Sequence, residues 1–170
     1  MSNTIHETIR LARSMNLIAG QLLKLDLPID QRETDPDKGK ISLGLSLQAS
    51  ELAAKSILST IEWSRSKIRK HFSDHDLYKL LNAVESEIQK SNSPKSFIYR
   101  NFLLQCVEVD NVKSENTIGH FLSRHFSHPN SSHRNYFYSD CTTFLAPKPF
   151  NAIHAIADKL IHIAQDLATT

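Results

Sequence analysis

Apolar residues recur at steps of three and four along most of this chain, which is the pattern of amphipathic helices that each bury one face. The first stripe begins near Thr4, where Thr4 and Glu7 form a Thr-x-x-Glu capping box that predicts a helix start. The apolar positions that follow are Ile5, Ile9, Ala12, Met15, Ala19, Leu22 and Leu23.

The same periodicity predicts four further helices. Ser73 or Asp74 can cap the third helix, and Ser93 followed by Pro94 is a start signal for the fourth. The predicted spans are about residues 42–65 for the second helix, 77–88 for the third, 97–109 for the fourth and 150–168 for the fifth.

Polar segments separate these helices. Residues 26–42 are predicted to be a mobile polar loop, and residues 127–149, which contain three prolines, a loop before the C-terminal helix. Residues 110–115 are polar enough to end the fourth helix, although a single kinked helix through residue 126 is an alternative. No stretch alternates convincingly in the manner of a strand, so the prediction is an all-α single domain, a bundle of about five helices.

Length and composition agree with this prediction. The chain has 170 residues, of which 40% are hydrophobic and 22% charged, so one domain with a real core is expected. A formal net charge of +2 argues against a protein that coats nucleic acid through bulk charge, but leaves room for a local basic site. Two cysteines, a polar N-terminus and the lack of any apolar run near ~20 residues predict a cytoplasmic protein with no membrane contact.

Histidines and arginines cluster in one segment, which is the best candidate for chemistry. Four of the nine histidines fall between His120 and His133, and Arg124 and Arg134 lie among them. An imidazole can exchange a proton with the ribose 2′-hydroxyl or the leaving 5′-oxygen, and a guanidinium can hold the phosphate. An arginine and a histidine near a helix end would therefore cleave RNA without a metal.

Two other interpretations of this segment stay open. Histidines are common on polar loops, so such a cluster can arise without a function. A zinc site would have enough ligands in His125, His128, His133 and Cys141, but their spacing is irregular and no Cys-x-x-Cys or His-Glu-x-x-His pattern occurs. We therefore predict neither a metal nor a cofactor.

A second basic group lies within residues 65–75 and includes Arg69 and Lys70. The functional interpretation is contact with RNA phosphates. The simpler interpretation is a solvated loop after a helix C-terminus, where the helix dipole favours cations. Trp63 could stack on a base, although an aromatic residue of this kind more often packs in a core or an interface.

Three elements of the chain resemble the HEPN superfamily, small α-helical domains often found in RNA-cleaving toxins and antiviral systems. The Glu-Leu-Ala-Ala-Lys run at residues 51–55 is similar to an element in the second helix of many members. The His-Asp-Leu at residues 75–77 is like the start of the next helix in the family. Residues 136–140 and 152–168 look like the family's aromatic turn and terminal helix. The resemblance implies a HEPN-like helical fold.

The resemblance also implies a catalytic pair, because the family's signature is an arginine followed after four to six residues by a histidine. Arg124 looks like the start of it, with three residues between it and His128 and eight between it and His133. Arg69 and His75 are separated by five residues, but His75 belongs to the His-Asp-Leu element. Arg124 and His128 are therefore the expected catalytic pair, with His133 in reserve. The expected RNA-binding residues are His125, Asn130, Arg134, Arg69 and Lys70.

The function that this resemblance implies is a metal-independent endoribonuclease of a toxin–antitoxin or phage-defence system. A homodimer would bring one arginine and one histidine from each chain to a shared cleft. The expected partners are RNA and an antitoxin or another defence-system protein. The alternative is a non-catalytic HEPN-like module that docks a partner protein or RNA in a larger complex.

Overall fold

The computed structural model describes residues 2–24, 36–61, 63–72, 76–90, 101–109, 112–126 and 147–169. These residues are mostly helical, which confirms the predicted all-α class. None of the helices in these ranges has both the length and the apolar content needed to cross a membrane. In chain order the elements are α1 (Ser2–Lys24), α2 (Pro36–Thr60), α3 (Arg65–His71), α4 (Leu77–Lys90), a 3₁₀ turn (Phe102–Leu104), β1 (Cys106–Val109), β2 (Val112–Thr117), α5 (Ile118–Phe126) and α6 (Pro147–Ala168).

The three long helices α1, α2 and α6 pack against one another and hold much of the core. Ala53, Ile57 and Leu58 of α2 are completely buried. Small side chains such as that of Ala53 let neighbouring helices approach closely, while each buried leucine or isoleucine contributes about 1.5–3 kcal/mol. The apolar stripes of the sequence are therefore the faces that meet in this core.

Helix α4 packs on α2. Its N-cap is Asp76, the middle residue of the His-Asp-Leu element that resembles the HEPN superfamily. The Asp76 carbonyl accepts a hydrogen bond from the Leu80 N–H at 3.0 Å, and Asp76 Oδ1 accepts one from the Lys79 N–H at 2.9 Å. These are the bonds of a helix N-cap, so Asp76, and not the predicted Ser73 or Asp74, is the observed cap. Ser73, Asp74 and His75 lie outside the described residues.

The predicted helix over residues 97–109 is wrong in its last part, because residues 106–109 form strand β1. β1 pairs with β2 in an antiparallel hairpin, and the pair Val109–Val112 leaves only two residues between the strands. β-branched valines favour extended backbone, which agrees with the strand observed here. The alternative of one kinked helix through residue 126 is therefore also wrong.

Three boundaries also differ from the prediction. Residues 36–42 of the predicted loop 26–42 belong to α2, since Pro36 is favoured at a first helical position, where no N–H is needed. Residues 65–71 form α3 and not a loop. α6 begins at Pro147, inside the predicted loop 127–149. The rest of both predicted loops, residues 26–35 and 127–146, lies outside the described residues.

Candidate nucleic-acid interface

Helix α3 is a short basic helix that is held by a cap at each end and by one buried side chain. Ser64 is its N-cap, and Ser64 Oγ accepts a hydrogen bond from the Lys67 N–H at 3.2 Å. Ile68 is the buried residue of α3 and is only 6% exposed, so it anchors the helix to the core. The Phe72 N–H closes the last turn through a 3.0 Å bond to the Ile68 carbonyl.

The exposed side of α3 carries most of its charge. Of its seven residues five are basic, and all five are exposed: Arg65, Lys67, Arg69, Lys70 and His71. Among the carboxylates that the structure describes, none forms an ion pair with Arg65, Arg69 or Lys70. Arg69 and Lys70 are in the last turn of α3, where the helix dipole favours cations, and not in a solvated loop after the preceding helix, as the simpler interpretation expected. With respect to the described carboxylates, these charges can still meet a phosphate.

Trp63 attaches α3 to α4 and is therefore not a free base-stacking platform. The Lys67 ammonium lies 3.7 Å from the centroid of the Trp63 ring, and the Phe72 ring stacks at a centroid distance of 6.0 Å. His71 meets the same indole edge-on at 5.5 Å. Trp63 Nε1 donates a hydrogen bond to Glu87 Oε2 at 3.1 Å. These contacts agree with the packing interpretation of Trp63.

The acceptor of that bond, Glu87, is held in its charged form. Hydrogen bonds from Lys90 and then Trp63 lower the pKa of the Glu87 carboxyl, and nearby positive charge acts in the same direction, while partial burial opposes it. A carboxyl whose folded pKa is lowered stabilises the fold above its usual range and loses that contribution as pH falls through the lowered pKa. The attachment of α3 through Trp63 is therefore complete at neutral pH.

The predicted catalytic arginine lies at the end of α5. Thr117 Oγ1 caps this helix by accepting a hydrogen bond from the His120 N–H at 3.1 Å, and Ile118 and Leu122 bury its inner face. Arg124 and His125 fall in the last turn, where the structure describes their backbones but not their side chains. The backbone of Arg124 therefore lies near a helix end.

The other predicted residues divide between exposed positions and segments outside the described part of the structure. Arg69 and Lys70 are neighbours on α3 and are exposed. The remaining predictions lie outside the described residues: His128, Asn130, His133, Arg134 and, for the zinc alternative, Cys141. Among the residues that are described, no group of three potential metal ligands occurs.

The Glu-Leu-Ala-Ala-Lys run has a structural role. Glu51 and Lys55 form an ion pair one turn apart on α2, and Glu51 is only 6% exposed. Ala53 and Ala54 are completely buried beside this pair. This element therefore supports helix packing and does not contribute to the basic surface of α3.

One feature that the sequence analysis missed is an open cleft of about 470 Å³, which we call the α4 cleft. It lies between α4, the 3₁₀ turn and the start of α5, and Glu85 and His120 line it. The sequence did contain one signal of a buried carboxylate, since Glu85 directly follows the apolar position Val84. A buried carboxylate needs hydrogen-bond donors. The donor here is the Leu103 N–H, which only the tertiary structure brings near.

Comparison with models of known protein families, with curated proteins and with solved structures found no match. The functional interpretation therefore depends on the residues of this chain and on the patterns described above. Of the described surfaces, α3 has the clearest chemistry, because it gathers exposed cations on a helix that the core holds in place.

Proposed function

We propose that this chain binds single-stranded RNA through α3 and cleaves it without a metal, as a homodimeric HEPN-like ribonuclease. One observation supports the binding step most strongly: Arg65, Arg69 and Lys70 are exposed, and no described carboxylate pairs with them. Guanidinium and ammonium groups in this condition can exchange their counterions for backbone phosphates.

The anchoring of α3 makes this surface suitable for binding. Ile68 fixes one side of the helix in the core, while Trp63 fixes its start to Glu87 of α4. Arg65 and Arg69 are one helical turn apart, so their guanidinium groups share a face of α3. A strand that passes along this face would meet successive cations without requiring the helix to fold on binding.

The proposed cleavage step uses Arg124 with His128, and His133 remains the reserve for the imidazole. In a homodimer, one imidazole takes the proton of the 2′-hydroxyl as that oxygen attacks phosphorus. The second imidazole gives a proton to the leaving 5′-oxygen, and the two arginines stabilise negative charge on the phosphate. The products are a 2′,3′-cyclic phosphate and a 5′-hydroxyl. Because residues of the chain supply every proton transfer, the step proceeds in EDTA.

Binding is tested by replacing Arg69 and Lys70 together with alanine. We expect affinity for a single-stranded RNA to fall by about tenfold and the salt slope to fall by about 1.4, at roughly 0.7 for each lost phosphate contact. Fluorescence anisotropy at several salt concentrations measures both quantities.

The matched control replaces Arg10 and Arg13 of α1, which are also exposed and remove the same charge. If both double variants weaken RNA binding equally, the effect is one of overall charge, and α3 is not the binding surface.

The second candidate function is a non-catalytic module that docks a partner protein, such as an antitoxin or another defence-system protein. The three-residue interval between Arg124 and His128, shorter than that of the family signature, favours it. Under this alternative the purified protein leaves RNA intact and co-purifies in fixed stoichiometry with a protein encoded nearby. RNA cleavage by the protein alone would contradict it.

A further inference from the structure

Glu85 is a buried carboxylate without a cationic partner among the described residues. It is 9% exposed, and its Oε2 accepts a hydrogen bond from the Leu103 N–H at 2.8 Å. Its Oε1 accepts a longer bond of 3.3 Å from Gln89 Nε2. No described lysine, arginine or histidine forms an ion pair with it. Burying a charge in this way is costly, because two neutral donors replace only part of its hydration.

This carboxylate also lines the α4 cleft, whose wall is about equally polar and apolar. The cleft volume of about 470 Å³ lies in the range of small-molecule sites. Besides Glu85, the polar residues that line it include Tyr78, Asn82, Ser86, Asn101 and His120, and Leu103 and Leu104 supply apolar surface. It therefore combines one anionic acceptor with amides, a hydroxyl and two planar rings.

Two backbone features shape the cleft. Asn101 has left-handed backbone angles (φ 64°, ψ 29°), and its carbonyl accepts the Leu104 N–H at 3.0 Å, which sets the 3₁₀ turn beside α4. Gly119 lets α5 approach that turn, because a Cβ at this position would lie 3.0 Å from the Leu103 carbonyl oxygen. The wall thus depends on residues from three separate elements and on a close contact between two of them.

We propose that the α4 cleft binds a guanine base, with Glu85 accepting hydrogen bonds from the base N1–H and N2–H. An ionised carboxylate only accepts hydrogen bonds, and each of its oxygens has a second acceptor site beyond the bond described here. Guanine is the RNA base that presents two adjacent N–H donors on its Watson–Crick edge. Adenine, cytosine and uracil each place an acceptor beside a donor there, and that acceptor would meet the carboxylate unfavourably.

The rest of the wall supplies what the base also requires. The amides of Asn82 and Asn101 can donate to the guanine oxygen and ring nitrogen, and the rings of Tyr78 and His120 offer surfaces for stacking.

This inference rests on the proposed RNA binding and deepens it, since it assigns a base preference. Glu87 bonds Trp63, which directly precedes the cap of α3, while Glu85 lines the cleft, so the two features lie on different sides of α4. An RNA strand that crosses a helix of about 10–12 Å diameter would reach both.

The test uses the full chain and four free nucleotides, the 5′-monophosphates of guanosine, adenosine, cytidine and uridine, titrated by calorimetry. We expect the guanine nucleotide to bind at least about tenfold more tightly than the others, as a good bidentate contact discriminates. A second titration compares oligouridine RNA with the same strand carrying a single guanine, which tests whether the cleft binds guanine within RNA as well as the free nucleotide. We expect the guanine-containing strand to bind more tightly. Equal affinities across the nucleotides and across the two strands would overturn the proposal.

Two variants assign any guanine preference to the cleft. Glu85→Gln removes the charge, and we expect it to abolish the preference. Because the same change alters the acceptor of the Leu103 N–H, the thermal unfolding of this variant is compared with that of wild type. Ser86→Phe places a ring in the cleft from an exposed position, and we expect the same loss in a normally folded protein. A guanine preference that survives in folded Ser86→Phe would overturn the proposal.

The failure of this proposal can be told apart from a failure of the proposed RNA binding. If guanine is not preferred but oligouridine binding still depends on Arg69 and Lys70, only the guanine site has failed and the proposed RNA binding stands.

Discussion

Replacing either Arg124 or His128 with alanine is expected to slow RNA cleavage in EDTA by about 10²–10⁴-fold, the range that one general acid–base group or one charge-stabilising group contributes. The reason is that each chain supplies a single arginine and a single imidazole, so one substitution removes that group from both sides of a dimeric site. Gel analysis of a labelled RNA gives the rate, and the chemistry of the new ends gives the mechanism. Products with a 2′,3′-cyclic phosphate and a 5′-hydroxyl are expected.

Two controls separate the catalytic residues from other histidines. His162→Ala removes an exposed imidazole of α6, whose Nδ1 lies 2.8 Å from the Asp158 carbonyl oxygen, and we expect it to cleave at the wild-type rate. His133→Ala identifies the imidazole that acts: if it is as inactive as Arg124→Ala while His128→Ala is active, the reserve residue performs the step. Wild-type rates in the Arg124, His128 and His133 variants together would remove this site from the mechanism.

Replacing Asn16 with alanine is expected to destabilise the fold by about 3 kcal/mol, the sum of several net hydrogen bonds and one buried hydroxyl left unpaired. Asn16 is 1% exposed and links the three long helices. Its Nδ2 donates to Asp158 Oδ1 at 2.7 Å and to the His154 carbonyl at 3.1 Å, and its Oδ1 accepts from Ser46 Oγ at 2.9 Å. His154 Nδ1 lies 3.0 Å from the same oxygen.

The loss falls mainly on Ser46, because its completely buried hydroxyl loses Asn16 Oδ1 as its acceptor. His154 and Asp158 are partly exposed, so water can replace part of their bonds. Urea denaturation of Asn16→Ala, Ser46→Ala and the double variant measures the coupling between the two residues. We expect the double variant to lose clearly less free energy of unfolding than the sum of the two single losses. Ser14→Ala, at an exposed position of α1, is the control and should change stability by less than about 0.5 kcal/mol. Full additivity, or a small loss for Asn16→Ala, would contradict this account of the network.

The helical part of the fold could be predicted because a period of 3.6 residues decides which side chains share a face. Ile9 and Ala12 of the first stripe are buried, as are Ile153 and Leu160 of the last helix. Such positions need no knowledge of the partner helix, since any partner must cover the apolar face.

The predicted secondary structure was wrong where short local signals compete with the helical period of 3.6 residues. Val107 and Val109 fit a helical stripe as well as a strand, and pairing with β2 decides between them. Serine is a common N-cap, so Ser64 was a visible start signal for α3. A helix of only seven residues is not stable alone, however, and α3 forms because Ile68 packs in the core.

The candidate site was predictable only in part, for a related reason. Exposure of Arg69 and Lys70 follows from their charge, and was expected. The bond between Trp63 and Glu87 and the bond between Glu85 and Leu103 join residues about twenty positions apart, so neither follows from local pattern. The α4 cleft exists because of such contacts, and sequence analysis could not have found it.

The most direct test of the central claim, that α3 is the RNA-binding surface, is to map where RNA contacts the protein. A titration of isotope-labelled protein with single-stranded RNA, followed through backbone amide resonances, reports on α3 and on α1 in one experiment. We predict that the largest shifts occur in Arg65–His71 and that raising salt reverses them. Shifts that are absent, or that are confined to α1 and α6 while those of Arg65–His71 stay unchanged, would contradict the account.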